Sequence, residues 1–181
     1  LSRGLGDVYK RQLAQREPVL DSETGRKRYF VVHGGLFSRD DVTLDDVAGV
    51  DRFACKQPGQ EGLMMELLWS DPQTAPGRGP SKRGVGLGFG PDISRAWCQK
   101  NGVTAVLRSH EVRQNGYAEE HDGLCCTVFS APNYCDSAGN LGAFGRIDAH
   151  GTLNWTTFQA QPHPNIRPMA YAGGPMGGLL A

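Results

Sequence analysis

Short apolar runs that stop at turn-forming residues predict the strands of this chain. The run from Tyr29 to Val32, for example, is followed by His33 and two glycines, which permit a sharp turn. Two later runs flank a polar segment from Asp148 to Gly151, which is the pattern of a β-hairpin. The strands predicted on this basis are residues 28–33, 103–108, 124–130, 143–147 and 152–158.

Capping residues predict short helices between these strands. Thr43 is a suitable N-cap, and Asp45 and Asp46 would complement the helix dipole in the first turn. Residues 61–68 predict a second helix, which stops at the Trp-Ser-Asp-Pro sequence that follows.

A third helix is predicted from Pro91 to Lys100, and Asn101-Gly102 closes it. The segment 72–90 before it is rich in Gly, Pro and Ser and is predicted to be one long loop. The Gly- and Pro-rich segment 161–181 is predicted to be extended or loose. Helices and strands that alternate first, followed by successive strands, predict an α/β domain with a mixed sheet.

Composition narrows the functional classes. The 181 residues suffice for one domain, and 19 basic residues balance 19 acidic ones, so a nucleic-acid partner is not expected. No apolar run approaches the roughly 18 residues of a membrane helix, so no membrane partner is expected either. The five cysteines lack Cys-x-x-Cys spacing, which predicts reduced thiols and a cytoplasmic or nuclear protein.

The first residues have a different character from the rest of the chain. Residues 1–12 show little periodicity and resemble translated adaptor sequence more than natural protein. A non-native or disordered leader is therefore predicted there, with a natural flexible segment as the alternative.

Two histidines occupy equivalent positions in the predicted strand pattern. His33 is the last residue of the strand at 28–33, and His110 lies just after the strand at 103–108. Ligands and active residues of α/β sheets gather beyond the carboxyl ends of strands, and imidazole is a common metal ligand. Spacing alone also allows each histidine to be simply hydrogen-bonded, so both interpretations stay open at this point.

Two further segments could carry chemistry. Arg83, in the Gly-rich segment 81–84, could form a bidentate pair with phosphate oxygens, although a solvated basic loop would look the same. Tyr134, in the segment 130–136, could present its hydroxyl to a cleft or merely pack on a turn. The remaining histidines lie in polar or turn contexts and are predicted to be solvated: His121, His150 and His163.

In combination, these pieces resemble the phosphoprotein phosphatase family of serine/threonine phosphatases. The resemblance rests on ordered motifs, namely His33-Gly34-Gly35-Leu36, Leu68-Trp69-Ser70-Asp71-Pro72, Lys82-Arg83-Gly84-Val85 with Phe89-Gly90, Arg108-Ser109-His110-Glu111, and Ser130-Ala131-Pro132-Asn133-Tyr134-Cys135. The Ser-Lys-Arg-Gly segment and the Pro-Met-Ala-Tyr segment near the end are similar to the type-five subfamily, which carries a tetratricopeptide-repeat domain ahead of its catalytic domain.

The resemblance implies a fold and a domain layout. The fold is the C-terminal portion of a calcineurin-like metallophosphoesterase β-sandwich flanked by helices. Residues 13–172 would form the partial catalytic domain and residues 173–181 a flexible tail. Phosphoprotein substrates are implied, together with a possible chaperone partner bound through a repeat domain that is absent here.

The resemblance also implies roles for individual residues. His33 and His110 would be ligands of a two-metal centre, with manganese, or iron and zinc. Arg83 would bind the substrate phosphate, and Tyr134 would line and help to close the phosphate cleft. Three further residues would shape the adjoining substrate and inhibitor groove: Trp69, Asp71 and Phe129.

The family pattern is incomplete in this chain. Three motifs of the family have no counterpart here: Gly-Asp-x-His-Gly, Gly-Asp-x-Val-Asp-Arg-Gly and Asn-His-Glu. Four of the six expected metal ligands are therefore missing. The histidine that protonates the leaving serine or threonine oxygen in the family is missing as well. We therefore predict that the chain is inactive alone, although it derives from an active phosphatase. The alternatives are a truncated pseudo-phosphatase that binds phosphoproteins, and a metallophosphoesterase that acts on small phosphate esters.

Overall fold

Parallel strands form the centre of the structure, a computed structural model that describes residues 19–55, 57–59 and 61–164. The strands are β1 (Tyr29–Val31), β2 (Asp71–Pro72), β3 (Arg78–Pro80), β4 (Leu87–Phe89), β5 (Ala105–Arg108), β6 (Tyr117–Glu120), β7 (Cys125–Val128), β8 (Gly142–Ile147) and β9 (Leu153–Phe158). The helices are α1 (Leu44–Ala48), α2 (Leu63–Trp69) and α3 (Pro91–Asn101), with 3₁₀ turns at His121–Gly123 and Tyr134–Asp136. The predicted leader, 1–12, and tail, 173–181, lie outside the described residues.

The main sheet has the strand order β1-β5-β7-β6. β1, β5 and β7 run parallel, with Phe30 opposite Val106 and Val106 opposite Cys125, whereas β6 is antiparallel to β7. Because the three parallel strands are neighbours, their carboxyl ends lie along the same edge of the sheet. The residues that follow these strands are therefore brought together.

Two smaller sheets complete the architecture. β2, β4 and β3 form a three-stranded sheet, and β8 pairs with β9 as an antiparallel hairpin. The hairpin faces the main sheet across an apolar cleft of about 200 Å³, whose lining includes Val32, Leu107, Ile147 and Leu153. The α/β class predicted from the sequence is confirmed.

Two of the three helices have the capping residues that the sequence indicated. Thr43 and Asp46 form a reciprocal capping box at the start of α1. Gly102 closes α3 in the left-handed conformation, with φ of 60°. α2 begins at Leu63, two residues later than predicted, after Gly62 as N-cap. None of the helices in the described part of the chain is long and apolar enough to cross a bilayer.

The prediction of a single long loop at residues 72–90 was wrong. β3 and β4 lie inside this segment, and Gly79 pairs with Gly88 between them. β4 also pairs in parallel with β2, which buries Phe89 completely. Glycines depress strand propensity, so these strands depend on non-local pairing that a local pattern does not reveal.

The prediction of a solvated His121 was also wrong. The side chain is buried, and its Nδ1 lies 2.7 Å from Ser94 Oγ. Its Nε2 lies 2.9 Å from the carbonyl oxygen of Gln73. Burial lowers the pKa of this imidazole, so it links α3 to the three-stranded sheet as a neutral group. His150 and His163 are exposed, as predicted.

The hydrophobic core lies between α3 and the main sheet. Its members are buried side chains contributed by the chain after β1, by β4, by α3 and by the central strands: Leu36, Phe37, Val42, Phe89, Trp97, Cys98, Val103, Val106 and Cys125. All five cysteines of the chain are free thiols, of which Cys98, Cys125 and Cys126 are buried.

The substitution Phe89→Ala should destabilise the domain by about 3–5 kcal/mol, because it leaves a cavity in this core. Chemical denaturation of the 181-residue chain measures the change as a shift of the urea midpoint. Phe53→Ala is the matched control, because that ring is 77% exposed and its loss should cost no more than about 0.5 kcal/mol. Equal midpoints for the two variants would contradict the core assignment.

Candidate functional site

The two strand-end histidines meet at the carboxyl edge of the main sheet. His33 lies two residues after β1, and His110 lies two residues after β5. The backbone N–H of Ser109 donates to the His33 carbonyl at 3.1 Å. Between the rings, His110 Nδ1 lies 3.1 Å from His33 Nε2, and the ring centroids are 4.8 Å apart. Residues 77 positions apart along the chain thus form one imidazole pair.

A close backbone approach fixes the turn that follows His33. A side chain at Gly34 would place its Cβ 2.5 Å from the Leu68 carbonyl carbon, so only glycine fits. The Gly34 N–H donates to the Leu67 carbonyl at 2.7 Å. This contact brings the end of α2 against the turn, and the Trp69 ring lies edge-on to the His110 ring at 5.4 Å.

The backbone of His110 is held in an unusual conformation. Its φ is 71°, in the left-handed region that non-glycine residues seldom adopt. Such backbone strain persists only where surrounding contacts impose it, and it is common at functional sites.

The surroundings of both imidazoles favour their neutral form. Burial, together with the charges of Arg108 and Arg83, lowers the pKa of His33. Burial and the charge of Arg83 lower the pKa of His110 to about 4, against an opposing effect of Asp71. Neutral imidazole is the form that binds metal ions.

The donor set fits part of a metal centre. Nε2 of His110 is buried and has no hydrogen-bond partner among the described residues, so its lone pair or N–H is not satisfied by them. A cation at this nitrogen would remove that deficit. Within residues 19–55, 57–59 and 61–164, however, no group of three or more His, Cys, Asp or Glu side chains could hold a metal ion. Any further ligands must come from outside these residues.

Arg83 lies beside the imidazole pair, in the loop between β3 and β4. Its Nε donates to Asp71 Oδ2 at 2.7 Å, and its Nη2 donates to the His110 carbonyl at 3.3 Å. Nη1 makes no hydrogen bond to any described residue, and 27% of the side chain is exposed. The guanidinium is therefore fixed along one edge and open along the other, where it could bind an oxyanion.

Asp71 lies beneath Arg83 and is not part of an open groove surface. The residue is buried at the start of β2, between Arg83 and Arg108. Burial opposes its ionisation, but hydrogen bonds and charges from the two arginines outweigh this and lower the pKa of Asp71. The role of Asp71 in shaping a substrate surface stays a prediction, and an effect of this buried carboxylate on a ligand would pass through Arg83.

Phe129 and Tyr134 form a second group at the same sheet edge. Phe129 directly follows β7, and its ring packs edge-on against the Tyr134 ring at 5.2 Å. Tyr134 is 47% exposed, and its N–H donates to Asn140 Oδ1 at 2.8 Å. In the described part of the chain, no hydrogen bond or ring contact joins this pair to the imidazoles or Arg83.

Two charged residues at the site received no role from the sequence. Arg108 ends β5 and Glu111 follows His110, and both are buried. The signal that could have revealed them is an arginine that ends an otherwise apolar strand, because such a charge needs a buried partner.

Comparisons with known proteins agree on one family. A family model described as calcineurin-like phosphoesterase matches residues 4–114. Serine/threonine-protein phosphatase T of Schizosaccharomyces pombe is 66% identical over 151 residues, which cover 83% of this chain and 32% of that protein. Serine/threonine-protein phosphatase 5 of Homo sapiens is 48% identical over 146 residues, 80% of this chain and 29% of that protein. The chain thus spans about a third of the length of these relatives.

A solved structure gives the same picture in three dimensions. It is a protein serine/threonine phosphatase from Saccharomyces cerevisiae with similarity to human phosphatase PP5. It superposes with a TM-score of 0.71 at 47% sequence identity, over 80% of this chain and 48% of that chain.

Proposed function

The chain belongs to the calcineurin-like phosphoesterase family, and from this premise we propose that it forms part of the catalytic domain of a protein serine/threonine phosphatase. The reaction is hydrolysis of phosphoserine and phosphothreonine in proteins. The observation that carries the proposal is the half-open guanidinium of Arg83 beside the His33–His110 pair. This arrangement would set a group able to bind an anion next to two nitrogens able to bind metal ions.

Divalent metal ions are the cofactors of this family. His33 and His110 would supply two ligands of a two-ion centre, with manganese, or iron and zinc, as the ions. The lowered pKa values of both imidazoles support this assignment. Nε2 of His110, which has no hydrogen-bond partner among the described residues, supports it as well. When bound, such a pair of cations lowers the pKa of water, so that hydroxide is available near neutral pH.

The side chains of this chain would bind and orient the phosphate. Arg83 offers Nη1 and the outer edge of its guanidinium to two phosphate oxygens, and its inner edge stays fixed by Asp71. Arg83 would stabilise negative charge on those oxygens without first having to reorient, because Asp71 already holds its guanidinium in place. Trp69 packs on His110 and Phe129 packs on Tyr134, so the two aromatic residues would form the groove walls.

Phosphoproteins are the proposed substrates, because the relatives are named as protein phosphatases. The free thiols are consistent with a cytoplasmic or nuclear location, which we also propose. A chaperone partner would require a repeat domain outside this chain. The alternative function is a pseudo-phosphatase that binds phosphoproteins. A single observation favours it: the described residues contain no group of three or more His, Cys, Asp or Glu side chains that could hold a metal ion.

A phosphate-release assay tests the proposal. The full-length protein that carries this chain, supplied with Mn²⁺, should release phosphate from a phosphoserine peptide, and a chelator should abolish the turnover. The 181-residue chain alone should show no turnover, because two imidazoles cannot hold a pair of cations against water.

Two outcomes would contradict this assignment. Metal-loaded full-length protein that binds the phosphopeptide without turnover would favour the pseudo-phosphatase. Turnover of small phosphate esters but not of the peptide would favour the small-ester phosphoesterase.

A further inference from the structure

Arg108 is a fully buried arginine at the carboxyl end of β5. Its side chain has no exposed surface, and it lies between the turns that carry His33 and His110. A guanidinium does not lose its charge in proteins, so burial without partners would be very costly. The contacts that offset this cost show what the side chain holds together.

The guanidinium binds three separate segments. Its Nε donates to the Gly34 carbonyl at 2.5 Å, directly after His33. Its Nη1 donates to Glu111 Oε2 at 2.7 Å, directly after His110. Its Nη2 donates to Asp71 Oδ1 at 2.8 Å, with a longer contact of 3.4 Å to the Ser70 carbonyl. Gly34, the neighbour of His33, and Glu111, the neighbour of His110, thus both accept hydrogen bonds from the Arg108 guanidinium.

The carboxylate of Asp71 extends this connection to Arg83. Asp71 Oδ1 accepts from Arg108 Nη2 at 2.8 Å and, more distantly, from Arg83 Nη2 at 3.4 Å. Asp71 Oδ2 accepts from Arg83 Nε at 2.7 Å. Glu111 makes a parallel link, because its other oxygen accepts from Lys82, the neighbour of Arg83. The carboxylates of Asp71 and Glu111 therefore connect Arg108 to the loop that carries Arg83.

From this geometry we infer that Arg108 is a positioning residue that holds Arg83 in register with the imidazole pair through Asp71. The inference rests on the proposed function. A residue that only supports the fold would stabilise the domain without altering what Arg83 does. A positioning residue instead acts on phosphate through Arg83, so its effect depends on an intact Arg83 side chain.

A double-mutant cycle of Arg108→Lys and Arg83→Lys in the full-length protein separates the two roles. Lysine keeps the charge but loses the planar fork that reaches several acceptors at once. We expect Arg108→Lys alone to weaken inorganic phosphate binding and lower kcat/KM about 10-fold. In the Arg83→Lys background, Arg108→Lys should lower phosphate affinity and kcat/KM less than about twofold, because the Arg83 side chain that Arg108 positions is already altered.

Arg78 provides a matched control. It also joins a carbonyl and a carboxylate, with 2.7 Å to the Phe37 carbonyl and 2.6 Å to Asp40 Oδ1. In the described part of the chain, its side chain makes no hydrogen bond or ion pair with a site residue. Arg78→Lys should therefore change kcat/KM less than twofold, and equally in both Arg83 backgrounds.

The measurements distinguish failure of the inference from failure of the proposed function. Calorimetric phosphate binding needs no turnover, so equal losses on both Arg83 backgrounds would overturn the positioning role. A wild-type protein without turnover would overturn the proposed activity. The positioning role would still stand if the effects of Arg108→Lys and Arg83→Lys on phosphate affinity remained coupled. If Arg108→Lys does not fold, Asp71→Asn cuts the same link at the shared carboxylate. Coupling of Asp71→Asn to Arg83→Lys supports the inference, and additivity overturns it.

Discussion

The substitution His110→Asn in the full-length protein should lower phosphatase activity by more than about 100-fold. Removal of groups that merely support a metal ligand costs about 10–100-fold, and loss of a ligand itself should exceed that range. Asparagine is the informative replacement because the backbone at this position has φ of 71°, which asparagine tolerates better than most residues. Metal content, measured by mass spectrometry of the purified protein, should fall together with the activity.

The outcome for His110 can be checked against a histidine outside the site. His150 lies exposed in the turn of the β8–β9 hairpin, so His150→Asn should leave metal content and turnover unchanged. If the His110 variant kept its full metal content and rate, the imidazole pair would not be a metal site, and the proposed function would lose its cofactor.

Arg83→Ala should lower kcat/KM by about 100- to 1,000-fold while the metal content stays constant. Removal of one fixed donor from a developing oxyanion has effects of that size. The fold should tolerate the change, because Asp71 keeps its hydrogen bond from Arg108 at 2.8 Å. Phosphopeptide kinetics and metal analysis of the same preparation provide both readouts.

A surface arginine supplies the comparison for Arg83. The Arg39 side chain is 60% exposed, and its Nη1 lies 3.6 Å from Oδ2 of the exposed Asp41. Arg39→Ala should therefore change kcat/KM less than twofold. If Arg83→Ala retained the wild-type rate, phosphate would be bound elsewhere. If it lost metal as well as activity, Arg83 would support the metal centre instead of binding phosphate.

Local signals explain which parts of the fold could be predicted. The capping box at Thr43 and the left-handed Gly102 each depend on only a few neighbouring residues. The start of α1 and the extent of α3 could therefore be predicted from the sequence. β3 and β4 were missed because Gly79 and Gly88 give no apolar alternation, and their strand character comes from pairing with each other. His121 was misjudged because its partners, Ser94 and Gln73, are distant in sequence.

The same distinction applies to the site. The meeting of His33 and His110 follows from topology, because neighbouring parallel strands end at one edge, and the structure shows that convergence. The burial of Asp71 could not be predicted, since it depends on two arginines that approach from separate loops and strands. The links between charged side chains are set by tertiary structure, and a spacing pattern does not encode them.

The unequal exposure of the thiols has a practical consequence. Burial raises the pKa of Cys98 and Cys126 to about 12, and that of Cys125 higher still, so these three sulfurs stay protonated and out of reach of alkylating reagents. Cys135, beside Tyr134, is exposed, and Cys55 is half-buried. Replacement of Cys55 by serine would leave one position for a maleimide fluorophore, next to the tyrosine proposed to close over phosphate. The chain thus offers a spectroscopic reporter for movement of that loop.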